Sequence, residues 1–178
     1  DLWIRPLPEG EVVRLTDDGL NSQPLWSPSG RYLAFRKDVE LMTVDTASGI
    51  VRSWTTPVNT YLWSPAGDVL AYVAGSGILR LAVVDMTVGT EVTLIPPEVG
   101  VLGSIGDIAW SPDGQAIAYE WYEGQDMQGL FMIPYGGGKA TELYASGKPE
   151  KGDALLAGWS GDGRYLLFWQ GPIVSASQ

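Results

Sequence analysis

The side chains of this sequence able to move protons or attack a carbonyl are 21 Asp and Glu, 11 Lys and Arg, and the hydroxyl residues; it has no His and no Cys. A serine relay needs an imidazole to carry the serine proton, and a thiolate nucleophile needs a Cys with a basic partner, so neither route is open to this chain. Zinc sites built on thiolates are excluded on the same ground. The Lys residues at 37, 139, 148 and 151 fall in predicted loops, away from the apolar pockets that lower an ammonium pKa. Tyr135 to Ala140, with three glycines before Lys139, lacks the spacing and the following helix of a phosphate cradle and reads as a hairpin turn. Asp113-Gly114 and Asp162-Gly163 bring one carboxylate each, too few oxygens for calcium. No cofactor and no metal are expected, and what remains is recognition by charge and aromatic surface.

For recognition the densest mixture is the segment 120–130, where Glu120, Glu123 and Asp126 stand among Trp121, Tyr122 and Met127. Such a set suits contact with both charge and apolar surface. Asp17 and Asp18 join it as candidate contact residues on the same expected face. That face also collects Asp38, Glu40, Glu98, Asp107, Glu150 and Asp153 against Lys37, Lys148 and Lys151. Its field would attract a basic protein partner, although solvated loops of a chain with net charge −10 are acidic by default. The same charge opposes phosphate neutralisation, so nucleic acid is not an expected partner. No apolar run is long enough for a membrane span, and the sequence opens on Asp1 without a leader pattern.

These residues are positioned by an internal repeat. Trp26-Ser27-Pro28-Ser29-Gly30, Trp63-Ser64-Pro65-Ala66-Gly67, Trp110-Ser111-Pro112-Asp113-Gly114 and Trp159-Ser160-Gly161-Asp162-Gly163 align, with the Trp spaced by 37, 47 and 49 residues. Each motif reads as a strand end and a tight turn leading into an alternating apolar strand. The glycines at 30, 67, 114 and 163 are expected to supply positive φ, and the serines to bond turn amides. Second hairpins follow at 40–55, 79–96 and 129–144, giving four strands per unit. Four-stranded units of this length, without helical periodicity, are propeller blades. Of the eight Trp, the four repeated ones are expected between blades; Trp54, Trp121 and Trp169, at strand ends, are the better contact candidates. Long loops are expected at 16–24, 55–61, 96–107, 121–129 and 144–157, all on one face.

The Trp-Ser-Pro-Asp-Gly motif followed by an Ala-Tyr or Ala-Phe strand resembles the PD40 (WD40-like) repeat of TolB-like propellers and of propellers attached to prolyl oligopeptidase-type peptidases. The third unit, from Trp110 to the strand starting at Leu130, matches most fully, and the fourth departs with Gly161 at the Pro position. The resemblance implies an all-β propeller of antiparallel four-stranded blades, a non-catalytic scaffold for protein–protein contact, and a periplasmic or extracellular setting. It also implies two rivals: a propeller gating a hydrolase whose catalytic domain lies outside this chain, and a carbohydrate-binding or lyase-like propeller. The lyases of the second kind use histidines around a metal, and this chain has none.

Residues 1–178 are expected to form one propeller domain or propeller fragment of three whole blades and two half-blades, Leu2–Thr16 and the strands around Trp159. The half-blades would pair with each other, with a second copy, or with further blades of a longer chain, because unpaired strand edges are aggregation templates. The closing stretch from Gly171 supplies neither turn nor final strand, which reads as a cut from a longer chain.

Overall fold

A computed structural model describes residues 1–77, 79–96, 103–123, 126–145 and 154–171. Every regular element among them is a β-strand. Strands β1 (Trp3–Ile4) and β2 (Val13–Arg14) form a short two-stranded sheet. The first whole blade is β3 (Asn21–Trp26), β4 (Tyr32–Lys37), β5 (Glu40–Asp45) and β6 (Val51–Thr55). The second is β7 (Val58–Trp63), β8 (Val69–Ala74), β9 (Arg80–Asp85) and β10 (Thr90–Ile95). The third is β11 (Gly103–Trp110), β12 (Ala116–Glu123), β13 (Asp126–Pro134) and β14 (Thr141–Ala145), and β15 (Ala154–Trp159) with β16 (Leu166–Gln170) closes as a half-blade. All pairs are antiparallel neighbours in sequence, as in a meander.

The core lies between blades. Leu2 and Leu15 pack on Leu33, Phe35 and Val44 of the first blade. Ala34 and Leu41 pack against Val58, Tyr61 and Tyr72 of the second. Ala71 and Val73 meet Ile105, Trp110 and Tyr119 of the third, and Ala118 and Leu130 meet Ala154 and Leu156 of the last. The second blade is covered on both faces, so Leu70, Ala71, Tyr72 and Val73 are all fully buried in a continuous apolar run rather than an alternating one.

The repeat motif forms the expected turn. Ser27, Ser111 and Ser160 accept the amides of Tyr32, Ala116 and Tyr165 on their hydroxyls at 3.1, 3.0 and 3.0 Å. Gly30, Gly114 and Gly163 have φ of 72°, 67° and 70°. Gly67 differs from expectation and is not among the positive-φ glycines. Its turn is closed by Val69 N–H donating to the Gly67 carbonyl at 2.8 Å, whereas the others close with the Gly N–H on the Ser carbonyl.

Two of the expected loops, 55–61 and 121–129, are mostly strand, and a third, 16–24, is strand over its last four residues. β3 starts at Asn21, only residues 56–57 separate β6 from β7, and 121–129 belongs almost wholly to β12 and β13. Each first strand of a blade carries a register shift, at 22/25, 58/60, 105/108 and 156/158. A bulge breaks the two-residue alternation, which is why these strands look like loops in sequence. Glu98, Lys148, Glu150, Lys151, Asp153 and the stretch 172–178 lie outside the described residues.

Candidate contact site on the third blade

Strands β4, β8 and β12 all begin six residues after their repeat Trp, but β12 ends at Glu123 whereas the six-residue strands β4 and β8 end two positions earlier in the repeat. The β12–β13 pair therefore runs two residues further toward the face that carries the blade-to-blade connections. At the usual rise of a strand this adds roughly 7 Å.

Glu120 does not lie on that face, contrary to the sequence expectation. It is 3% exposed and points into the junction with the last half-blade. Its Oε1 accepts the Leu156 amide at 2.6 Å, while Oε2 accepts the Asp107 amide and the Tyr122 hydroxyl, each at 3.1 Å. Gly106 on β11 leaves the room: a Cβ there would overlap the Glu120 carboxylate and come within 2.9 Å of the Tyr122 ring. The carboxylate is a clamp between blades, and its burial is tolerable because three donors replace water.

Alternation along β12 turns Trp121 to the opposite side from Glu120 and Tyr122. Its indole lies over Gly103, where any Cβ would overlap the ring. With Ile95, Tyr119, Phe131 and Ala140 it lines an apolar cleft of about 250 Å³ between β10 of the second blade and β12 and β13 of the third. Tyr119 and Phe131 stack there with centroids 5.7 Å apart, and burial pushes the Tyr119 hydroxyl up to about 12. Tyr122 is half-buried against the Ala118–Leu130 cluster.

Glu123 and Asp126 face each other across the hairpin and are both exposed. Two like charges in register repel, so the pair is held at a cost that an approaching cation would relieve. Met127 pairs with Tyr122 in the ladder. Asp17 and Asp18 are exposed but precede the first blade, so the fold does not join them to the hairpin. Asp18 is already neutralised: Lys37 sits 2.7 Å away and, with the Leu20 amide, holds its carboxyl below the usual carboxylate range. Among the described residues no group of three His, Cys, Asp or Glu side chains comes together as a metal site requires.

Sequence reasoning missed the repeated use of Trp as a donor. Trp63, Trp110 and Trp159 give their indole N–H to the carbonyls of Leu25, Leu62 and Ala109 at 2.9, 3.2 and 3.2 Å. Each acceptor immediately precedes the Trp of the blade before, so one bond is repeated at three junctions. No family model and no curated protein matches the chain in sequence. Solved structures do. A TolB structure from Agrobacterium tumefaciens aligns at 20% identity and TM-score 0.60 over 94% of this chain and 64% of its own. The β-propeller domain of the Trilobed protease from Pyrococcus furiosus aligns at 15% and 0.63, over 99% of this chain and 57% of its own. The chain has a TolB-like β-propeller fold. An oligogalacturonate lyase in complex with manganese shares this propeller at 16% identity and TM-score 0.64, over 88% of this chain and 49% of its own. The chain thus spans less than two thirds of each of these propeller proteins, and its own blades do not close into a ring among the described residues.

Proposed function

We propose that this chain is a non-catalytic propeller scaffold whose third-blade hairpin receives a basic surface of a protein partner. The extended β12–β13 hairpin supports this reading: it carries the exposed Glu123 and Asp126 at its tip and the Trp121 cleft at its flank. Charge at the tip steers an encounter, and the apolar cleft beside it gives a side chain somewhere to be buried. With no His and no Cys in the sequence, hydrolysis by a serine or thiol relay has no base in this chain. A periplasmic or extracellular setting belongs to the same proposal and is supported by the likeness to TolB structures.

The test is a pull-down from native extract at low and high salt, with the unaltered protein and with the double variant Glu123→Lys, Asp126→Lys. A partner identified by mass spectrometry that is lost both in salt and in the variant supports the proposal. Recovery that is indifferent to both changes removes the hairpin from the account, and enrichment of glycan in place of protein moves a carbohydrate-binding propeller ahead. A second reading, a propeller that gates an attached hydrolase, draws on the likeness to the Trilobed protease domain and to prolyl endopeptidases. A catalytic domain encoded beside these blades would favour it.

A further inference from the structure

We infer that the junction between the first and second blades is a binding site for a small organic anion, whose carboxylate or phosphate group is received by Arg52. Both flanking blades are whole, and a cavity of about 310 Å³ opens between them beside the β5–β6 and β9–β10 turns. Those turns leave the blades on the face opposite the β12–β13 hairpin, so this site is separate from the hairpin contact surface.

The ladder sets the cation in place. Tyr32 pairs with Asp45 and Thr43 with Arg52, so these four side chains share one side of the first blade. That side is turned to the second blade, where the Tyr32 hydroxyl donates to the Met86 carbonyl at 3.3 Å. Arg52 reaches across the gap to the β9–β10 turn: a Cβ on Gly89 would come within 3.0 Å of its Nη1. Gly89 has φ of 71°, and its bare backbone leaves the guanidinium its room.

Arg52 makes no hydrogen bond or ion pair with any described residue, although the chain carries 21 acidic side chains. The other arginines each have an acceptor. Asp1, Asp45, Glu91 and Asp162 receive Arg14, Arg31, Arg80 and Arg164, and the Gly10 and Asp38 carbonyls receive Arg5 and Arg36. Asp45, the carboxylate that lines the cavity, cannot serve Arg52. It already accepts Arg31 Nε and Nη2 at 3.1 and 2.8 Å and the Ala47 and Ser48 amides at 3.0 and 3.3 Å, which fills its lone pairs. The cavity therefore sets two guanidinium groups against one saturated carboxylate. Ser48 and Thr43 each accept one bond, from the Ile50 amide at 3.3 Å and the Trp54 indole at 2.8 Å, which leaves each hydroxyl proton to donate. A guanidinium fork matches a carboxylate or a phosphate, and Tyr32, Ile50 and Met86 give apolar wall to the body that carries it. At the next junction Asp68 and Val92 stand where Arg31 and Arg52 stand here, so the repeat itself does not call for this pair of cations.

Benzoate and phenyl phosphate, which carry the two groups on one apolar ring, are the probes, with benzyl alcohol as the neutral reference. In proton–nitrogen correlation spectra the amides of Ser48, Thr87 and Gly89 should shift as at least one anion is raised to about 10 mM, and the better-bound probe names the group. Arg52→Ala removes an exposed side chain that no described residue holds, so its spectrum should stay that of the folded protein while binding weakens about tenfold or more. Lys139→Ala takes away the same charge at an exposed position outside the cavity and should leave the affinity unchanged. The inference is overturned by the absence of shifts with both anions, by equal shifts with benzyl alcohol, by full affinity in Arg52→Ala, or by equal losses in Arg52→Ala and Lys139→Ala.

Discussion

Replacing Glu120 by Ala should destabilise the junction between the third blade and the last half-blade. The carboxylate accepts the Leu156 amide at 2.6 Å in a fully buried position, and the Asp107 amide and Tyr122 hydroxyl at 3.1 Å in partly buried ones. Hydrogen bonds to a charged group are worth about 1.5–3 kcal/mol each, and an abandoned buried donor forfeits most of that. Counting Leu156 at about 2 kcal/mol, and the other two at about 1 kcal/mol each because water can reach them, gives a loss of roughly 4 kcal/mol. Glu120→Gln keeps one acceptor oxygen but turns an amide NH₂ toward a donor, for about 2 kcal/mol. Urea denaturation gives the global value. Amide hydrogen exchange gives the local one, with Leu156 exchanging about 10³-fold faster in Glu120→Ala if the half-blade opens by itself. If Glu120→Ala stays within about 0.5 kcal/mol of the unaltered protein and Leu156 keeps its protection, the clamp is wrong and Glu120 returns to the contact surface.

Gly106→Ala should cost about 1–3 kcal/mol, because its Cβ would displace the Glu120 carboxylate and the Tyr122 ring. Combined with Glu120→Ala the two losses should fall short of additivity in denaturation curves, since one overlap is removed by the other change. Trp110→Phe should cost about 2 kcal/mol by the same assay, from the lost bond to Leu62 and the smaller ring at a 6% exposed site. Acid should weaken the fold in a defined window: Asp18, Asp45, Asp85, Asp113 and Asp162 all have carboxyls held low, chiefly by Lys37, Arg31, Thr87, Ser111 and Ser160 respectively. Their stabilisation is present above the unfolded-state value and lost as pH falls through the lower folded one, so thermal midpoints should hold from neutrality to about pH 5 and drop below about pH 4. A midpoint that instead rises on acidification would show the signs to be reversed.

How much of this was legible in the sequence depends on which residues carry it. The Trp-Ser-Pro-x-Gly periodicity announces blades because the turn needs those residue types at fixed spacing, and the blade order and strand content follow from it. The bulged first strands were hidden, since two residues opposite one erase the alternation that marks a strand. In sequence Glu120 reads as surface, because nothing about a lone acid in a strand reveals three donors converging on it; Arg36, Val73 and Trp169 occupy its place in the other blades. A signal did exist in Gly103 and Gly106, glycines inside a strand rather than in a turn, which mark close approach by neighbouring side chains. The Trp repeat foretold inter-blade packing but not the exposure of Trp26, which depends on what precedes it in space.

The third-blade hairpin as the contact surface is tested most directly by a photo-cross-linking residue placed at Glu123 or at Asp126, with one at Val88, exposed in the turn between β9 and β10, as reference. After illumination in native extract, both hairpin positions should capture the same basic protein, with the adduct lost at high salt and Val88 capturing none of it. Adducts that form equally from Val88, or that are absent from both hairpin positions while the protein stays folded, would contradict the assignment of this hairpin as the binding surface.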